Sequence, residues 1–243
     1  MSKTTNNRHL RAALIDMDGT LYDSMPNHAR AWQRTLHEIG IDVPYDELFL
    51  YEGMRGAETI DMLVRRHLHR IPSEAELVDT YALKAKYFVQ MPPVEPIAGA
   101  QQLIREFECR GIVTVLVTGS GQASLLSRLD DDFPGAFPAE RRVTSASVTH
   151  GKPAPDPFLY GLELAGCTAC EAFAIDNAPL GTRSAAAAGV LTIGVTTGPI
   201  KQSVLADNGA DIVYNSMEDC AAMLPRLLDK IDAVADFSSG NNH

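Results

Sequence analysis

From about residue 100 onward the chain alternates short apolar, β-rich runs with helical stretches, and few folds accept that order. The apolar runs fall at residues 112–117, 173–175, 191–195 and 212–214, and helical spacing falls at 100–110, 157–165, 181–188 and 217–231. Parallel strands need a crossover connection, which a helix supplies. The alternation therefore predicts a doubly wound α/β core, a parallel sheet with helices on both faces. One earlier apolar run, residues 12–16, reads as a further strand and ends in a carboxylate.

Between that first strand and the alternation lies a block with no strand pattern. Ala29, Trp32, Leu36 and Ile39 keep helical spacing, and Gly40 closes the helix. Further helical stretches cover 44–51, 58–69 and 73–91, the last opened by a Ser73/Glu76 capping box. Pro92, Pro93 and Pro96 then stiffen a linker. The expected organisation is an α/β core of residues 1–24 and 95–237, an inserted helical cap of residues 25–94, and a disordered tail over 238–243.

Composition excludes several classes. The 243 residues are 45% hydrophobic and 21% charged, which is ordinary for a globular protein. No apolar run approaches the roughly 20 residues that span a bilayer. Residues 1–11 are polar and lack the apolar segment of a secretory signal. A cytoplasmic protein with no membrane partner is expected. The formal net charge of −10, with acid spread along the chain, argues against a nucleic-acid partner. It also means that a phosphate substrate must be met by a local cation. Cys167 and Cys170 form a C-x-x-C without a second pair at ligand spacing, so they and Cys109 and Cys220 read as ordinary thiols.

Ligands of an open parallel sheet bind at the carboxyl ends of its strands, and four polar clusters fall there. In Asp16-Met17-Asp18-Gly19-Thr20 two carboxylates straddle a strand end, where a cation would relieve their repulsion. An ordinary acidic turn would look the same. Thr118-Gly119-Ser120-Gly121 offers backbone N–H groups and hydroxyls to an anion, as a plain capped βα loop also does. Lys152 lies in a stretch, 150–157, whose three prolines hold it in place. Asp176-Asn177 puts two hard oxygen donors beside the first pair, suited to Mg²⁺, and is otherwise a capping pair. Together the four clusters point to phosphoryl transfer.

With Asp16, Asp18, Thr118, Lys152, Asp176 and Asn177 in this order, the chain resembles the haloacid dehalogenase superfamily over nearly its whole length. The helical insertion, residues 16–24, His28 and Trp32 are similar to its β-phosphoglucomutase-like branch. The resemblance implies that Asp16 is the nucleophile and becomes an aspartyl phosphate. It makes Asp18 the acid–base, with its backbone carbonyl on Mg²⁺. Thr118, Gly119, Ser120 and Lys152 would hold phosphoryl oxygens. Asn177 would ligate Mg²⁺ directly, alongside Asp16, and Asp176 from the outer sphere. The family pattern usually has aspartate where this chain has Asn177, which leaves room for a carboxylate from elsewhere.

Glu52 is the expected source, the alternative being a solvated carboxylate at a helix end. It lies in Leu50-Tyr51-Glu52-Gly53-Met54-Arg55-Gly56, which looks like the cap's specificity loop, where similar mutases place a lysine on a sugar phosphate. With Glu52 as a metal ligand, Glu52-Gly53, residues 117–122 and residues 177–181 resemble an inorganic pyrophosphatase of the same branch. Hydrolysis of pyrophosphate to two phosphates is the expected reaction; a sugar phosphomutase or a small sugar-phosphate phosphatase is the alternative. His28 would steady Asp18 or simply pack, and Arg55 would grip a distal phosphate or face water. A metal-free dehalogenase has no use for Asp18 or the Asp176-Asn177 pair, and a silent binding protein has no need of all four clusters.

Overall fold

The computed structural model describes residues 9–121 and 123–240. The elements begin with β1 (Ala12–Ile15), α1 (Met25–Glu38), a 3-10 stretch (Tyr45–Tyr51), α2 (Gly56–Leu68) and α3 (Glu74–Val89). After these come α4 (Ala100–Cys109), β2 (Val113–Val117), α5 (Ala123–Leu126), α6 (Leu129–Asp132) and β3 (Arg142–Val143). The chain continues through α7 (Asp156–Ala165), β4 (Ala172–Asp176), α8 (Pro179–Ala187), β5 (Leu191–Val195), α9 (Gln202–Asp207), β6 (Ile212–Tyr214) and α10 (Met217–Gly240).

The six strands are parallel in the order β3-β2-β1-β4-β5-β6. The winding reverses between β1 and β4, the crevice where ligands bind in doubly wound sheets. β1 is buried along its whole length, as expected of a strand covered on both faces. Successive side chains point to opposite faces. Ala13 and Ile15 join Phe107 of α4 and Leu224 of α10, while Ala12 and Leu14 join Phe158 of α7 and Ala185 of α8. The doubly wound α/β core expected from the sequence is the observed fold.

The helices between β1 and β2 bury an apolar cluster of their own, including Met25, Leu36, Phe49, Ile60, Leu63 and Val64. α1 stops where Gly40 takes a positive φ of 78°, open to glycine without strain. Ser73 caps α3 by accepting the N–H of Glu76 at 3.2 Å. The two chain crossings into the insertion run side by side, with the N–H of Asp23 donating to the carbonyl of Glu95 at 3.0 Å.

Several elements differ from the expectation, among them α5 and α6, two four-residue helices too short to show a periodicity. Residues 45–51 form a 3-10 rather than an α-helix, confined between Pro44 and the turn at Gly53. β3 has only two residues, too few to show a periodicity. In α9 Leu205 alone is buried, so no apolar stripe marks it. α10 runs on to Gly240, past the expected stop at 231. Residues 241–243 of the expected tail, and Gln122, lie outside the described residues. Among the described residues no helix is long and apolar enough to cross a membrane.

Candidate active site

Asp16 follows β1 directly, and its N–H donates to the carbonyl of Ile175 at 3.0 Å, so the start of the site is set by the sheet itself. The chain then turns at Gly19, whose φ is 79°. A Cβ at Gly19 would strike the amide of Asn177 and come within 2.8 Å of a carboxylate oxygen of Glu52. This turn needs glycine both for its conformation and for the close approach of two other segments.

Lys152 joins two of the four clusters. Its ammonium donates to Asp16 Oδ1 at 2.6 Å and to Asp176 Oδ2 at 2.7 Å, with all three side chains buried. Burial alone would discharge the lysine, but the two carboxylates outweigh it and hold its pKa above the ordinary value. Asp176 is fixed further by accepting the N–H of Ala178 at 2.9 Å through Oδ1. Burial, with Asp176 and Asp18 nearby, outweighs Lys152 at Asp16 and raises its carboxyl to about 8. The second oxygen of Asp16, Oδ2, is buried and has no hydrogen-bond partner.

Asp18 behaves in the opposite way. Burial pushes its pKa up, but His28 and Ser24 prevail and hold it at about 2. Ser24 Oγ donates to Asp18 Oδ1 at 2.6 Å, and His28 Nε2 lies 2.9 Å from the same atom. Thr118 Oγ donates to Asp18 Oδ2 at 3.5 Å and accepts the N–H of Ser120 at 3.0 Å. Lys84 of α3 sits 2.6 Å from His28 Nδ1. Burial and the Lys84 charge hold the imidazole below its ordinary pKa. A neutral His28 therefore accepts from Lys84 at Nδ1 and donates to Asp18 from Nε2. Burial also lowers Lys84 itself, to about 7, against the pull of Asp18.

Glu52 reaches the site from the insertion. Its Oε1 accepts from Asn177 Nδ2 at 3.0 Å, and Thr20 Oγ1 donates to Asn177 Oδ1 at 3.2 Å. Burial first, then Asp16, Asp176 and Asp18, raise the pKa of Glu52 well above the ordinary carboxylate value. The next residue, Gly53, packs against the core: a Cβ on Gly119 would strike the Gly53 carbonyl. Between insertion and core remains a cavity of about 50 Å³, bordered by Asp16, Asp18, Glu52, Lys84, Thr118 and Ser120, with Trp32, Tyr51 and Tyr81 on the insertion side.

All four clusters named from the sequence thus meet at one point, with Glu52 and His28 among them. Arg55 does not border the cavity; its Nη1 donates to the carbonyl of Thr149 instead. Sequence reasoning missed Ser24, Tyr81 and Lys84. For Lys84 a signal exists: Thr80, Lys84, Tyr87 and Phe88 form the buried stripe of α3, and a lysine on a core-facing stripe is unusual. All four cysteines are free and stand apart from this cavity.

A family model described as haloacid dehalogenase-like hydrolase matches residues 10–189. The chain belongs to the haloacid dehalogenase-like hydrolases. Hexitol phosphatase A of Escherichia coli (strain K12) is 30% identical over 206 residues, covering 84% of this chain and 90% of the relative. Beta-phosphoglucomutase of Bacillus subtilis (strain 168) is 25% identical over 218 residues, covering 86% and 91%. A solved structure, a putative beta-phosphoglucomutase from Bacteroides vulgatus, superposes with a TM-score of 0.88 at 38% identity, covering 92% of this chain and 90% of that one. Within the haloacid dehalogenase family the chain falls in the β-phosphoglucomutase-like branch, whose named relatives are phosphatases and phosphomutases.

Proposed function

We propose that this chain is a phosphohydrolase acting through an aspartyl phosphate on Asp16, with inorganic pyrophosphate as its substrate. The observation that carries the substrate is the Glu52 carboxylate, buried over the reacting groups in a cavity of about 50 Å³. Pockets that take drug-sized ligands measure about 300–1,000 Å³, so this narrow site suits a small substrate.

The donors present fit Mg²⁺. A nucleophilic carboxylate must be ionised, yet burial holds Asp16 near 8, and its Oδ2 is an orphan. A cation at that oxygen would answer both conditions. Asp16, Asn177 and Glu52 would hold it, with the Asp18 carbonyl, and with Asp176 one shell out. Magnesium is typically held by one or two carboxylates plus substrate oxygens and water. Accordingly, the described residues need no full cage, and among them no three His, Cys, Asp or Glu side chains form one. When bound, the ion would neutralise phosphoryl charge beside this acidic cluster.

The chain's own residues divide the work. Asp16 attacks phosphorus, and the bond to the leaving phosphate breaks. Lys152, held between two carboxylates, and Thr118 present positive charge and a hydroxyl to the phosphoryl oxygens. Asp18, near 2, is a base in the resting site: it takes a proton from the water that hydrolyses the aspartyl phosphate. As an acid it would first need a proton, and phosphate leaves with less acid help than a sugar alkoxide does. Lys84 borders the cavity beside His28 with a charge that is lost as pH rises through about 7. The expected kcat/KM therefore falls above that pH, and Lys84→Met lowers the plateau and removes the falling limb. A wild-type profile flat from pH 6 to 8.5 would refute that role.

A sugar-phosphate phosphatase or mutase is the second reading. It is favoured by the aromatic wall of Trp32 and Tyr81 and by the names of the relatives. Phosphate release with Mg²⁺ from pyrophosphate, hexose phosphates and hexitol phosphates decides between them. The first reading expects pyrophosphate to lead by about 100-fold or more in kcat/KM, a gap of about 3 kcal/mol. A lead for a sugar phosphate, or isomerisation of β-glucose 1-phosphate, would overturn it.

A further inference from the structure

Outside the reacting cavity, insertion and core are joined by a clasp that the chemistry above does not use. Arg55, just before α2, donates through Nη1 to the carbonyl of Thr149. Glu58, in the first turn of α2, accepts the N–H of Arg55 at 3.3 Å and, with its other oxygen, the N–H of Gly151 at 3.3 Å. The two core partners, Thr149 and Gly151, stand three residues and one residue before Lys152. A Cβ at Gly151 would lie 2.6 Å from Arg55 Cγ and 2.9 Å from Glu58 Oε2. Gly151 has no positive φ, so the space between the two segments, not the backbone, is what asks for glycine there.

The insertion touches the core loops elsewhere as well. Tyr81 Oη accepts the N–H of Gly121 at 3.3 Å in the Thr118 loop, and Glu52 meets Asn177. Gly53 packs on the stem of Lys152, where a Cβ would come within 2.8 Å of Lys152 Cδ. Tyr81, Glu52 and Gly53 border the cavity; Arg55 and Glu58 do not. The clasp can therefore hold the insertion down without touching substrate.

We propose that Arg55 and Glu58 are positioning residues that lock the insertion onto the Lys152 loop and thereby set the largest substrate the site accepts. The size argument rests on the pyrophosphate reading; the lock itself does not. With the clasp made, the Lys152 loop is held at Thr149 and Gly151, and the cavity stays at about 50 Å³. A hexose phosphate needs the insertion lifted, so weakening the clasp penalises the small substrate and relaxes discrimination.

The test compares full-length wild type with Gly151→Ala, Arg55→Ala and Arg55→Lys by two readouts. The first is amide hydrogen exchange without substrate at segments 52–58 and 149–152. Gly151→Ala and Arg55→Ala are expected to speed exchange there and leave the sheet unchanged. The second is kcat/KM with Mg²⁺ for pyrophosphate and glucose 6-phosphate. For both variants the pyrophosphate value is expected to fall about tenfold, the scale of one charge-assisted hydrogen bond, chiefly through KM, and the preference for pyrophosphate to narrow. Arg55→Lys is expected to restore most of the loss, because the contact is a single bond to a carbonyl and not a two-pronged one. Unchanged exchange in both Gly151→Ala and Arg55→Ala, or a lysine variant no better than alanine, overturns the lock. If wild type favours glucose 6-phosphate, the substrate reading fails, while the exchange result still decides the lock.

Discussion

Asp16→Asn is expected to fold normally and to lose turnover by at least about 10⁴-fold, the scale seen when a covalent nucleophile is removed. The argument starts from the buried carboxylate. Asparagine keeps its shape and can still accept from Lys152 at Oδ1, and Lys152 keeps Asp176, so packing and the ion pair survive. The amide cannot attack phosphorus, and no nearby group replaces it, since Asp18 is engaged by Ser24 and His28. Stability should move the other way. In the metal-free protein the carboxyl of Asp16 is raised from 3.8 to about 8, so between those pH values the folded state keeps a proton that the unfolded chain releases. Wild-type stability therefore falls as pH rises through that window, and Asp16→Asn is free of that slope. Thermal melts with a chelator should show the variant equal to wild type near pH 4 and more stable at pH 8. Residual activity within tenfold of wild type would remove Asp16 from the mechanism.

The reactive part of this site was legible because its residues are local to strand ends. Asp16, Thr118 and Asp176 each follow an apolar run, and in a parallel sheet such positions converge whatever else the chain does. Lys152 was legible for a different reason, being set in a stretch dense with proline. What could not be read was anything that depends on how the helices of the insertion settle. Lys84 reaches His28 from α3, and only the packing of α3 against α1 brings the two together, whereas Ser24 meets Asp18 across a turn of six residues that leaves no pattern of its own. Arg55 shows the limit most clearly. Its place in a glycine-flanked loop signals that a cation is nearby but not which way it points, and the N-terminus of α2 turns it toward Thr149. Glu58, one turn further on, carries no signal at all in the sequence, because a glutamate in a first helical turn is ordinary. The same reasoning explains β3, whose two residues are defined by their partners Leu116 and Val117 and not by their own pattern.

The largest change in specificity is expected from Glu52. Glu52→Gln keeps an oxygen that accepts from Asn177 Nδ2 and removes only the charge; Glu52→Ala removes both. If the charge recruits the cation that a second phosphate requires, both variants should lose about 100-fold or more in kcat/KM for pyrophosphate, the upper end of the losses for disturbed metal surroundings. Both should also need more Mg²⁺ for half-maximal rate, and hexose phosphates should be much less affected. Stability separates the variants. A carboxylate whose pKa burial and three acidic neighbours raise well above normal weakens the fold at neutral pH. Removing the charge in Glu52→Gln should therefore raise the metal-free melting temperature. Glu52→Ala gains the same relief but leaves the Asn177 amide without its partner, a cost of about 1–3 kcal/mol unless water enters. It should melt below Glu52→Gln. If Glu52→Gln retains pyrophosphate hydrolysis, the charge does not set specificity, and Glu52 serves only as the contact by which the insertion closes on Asn177.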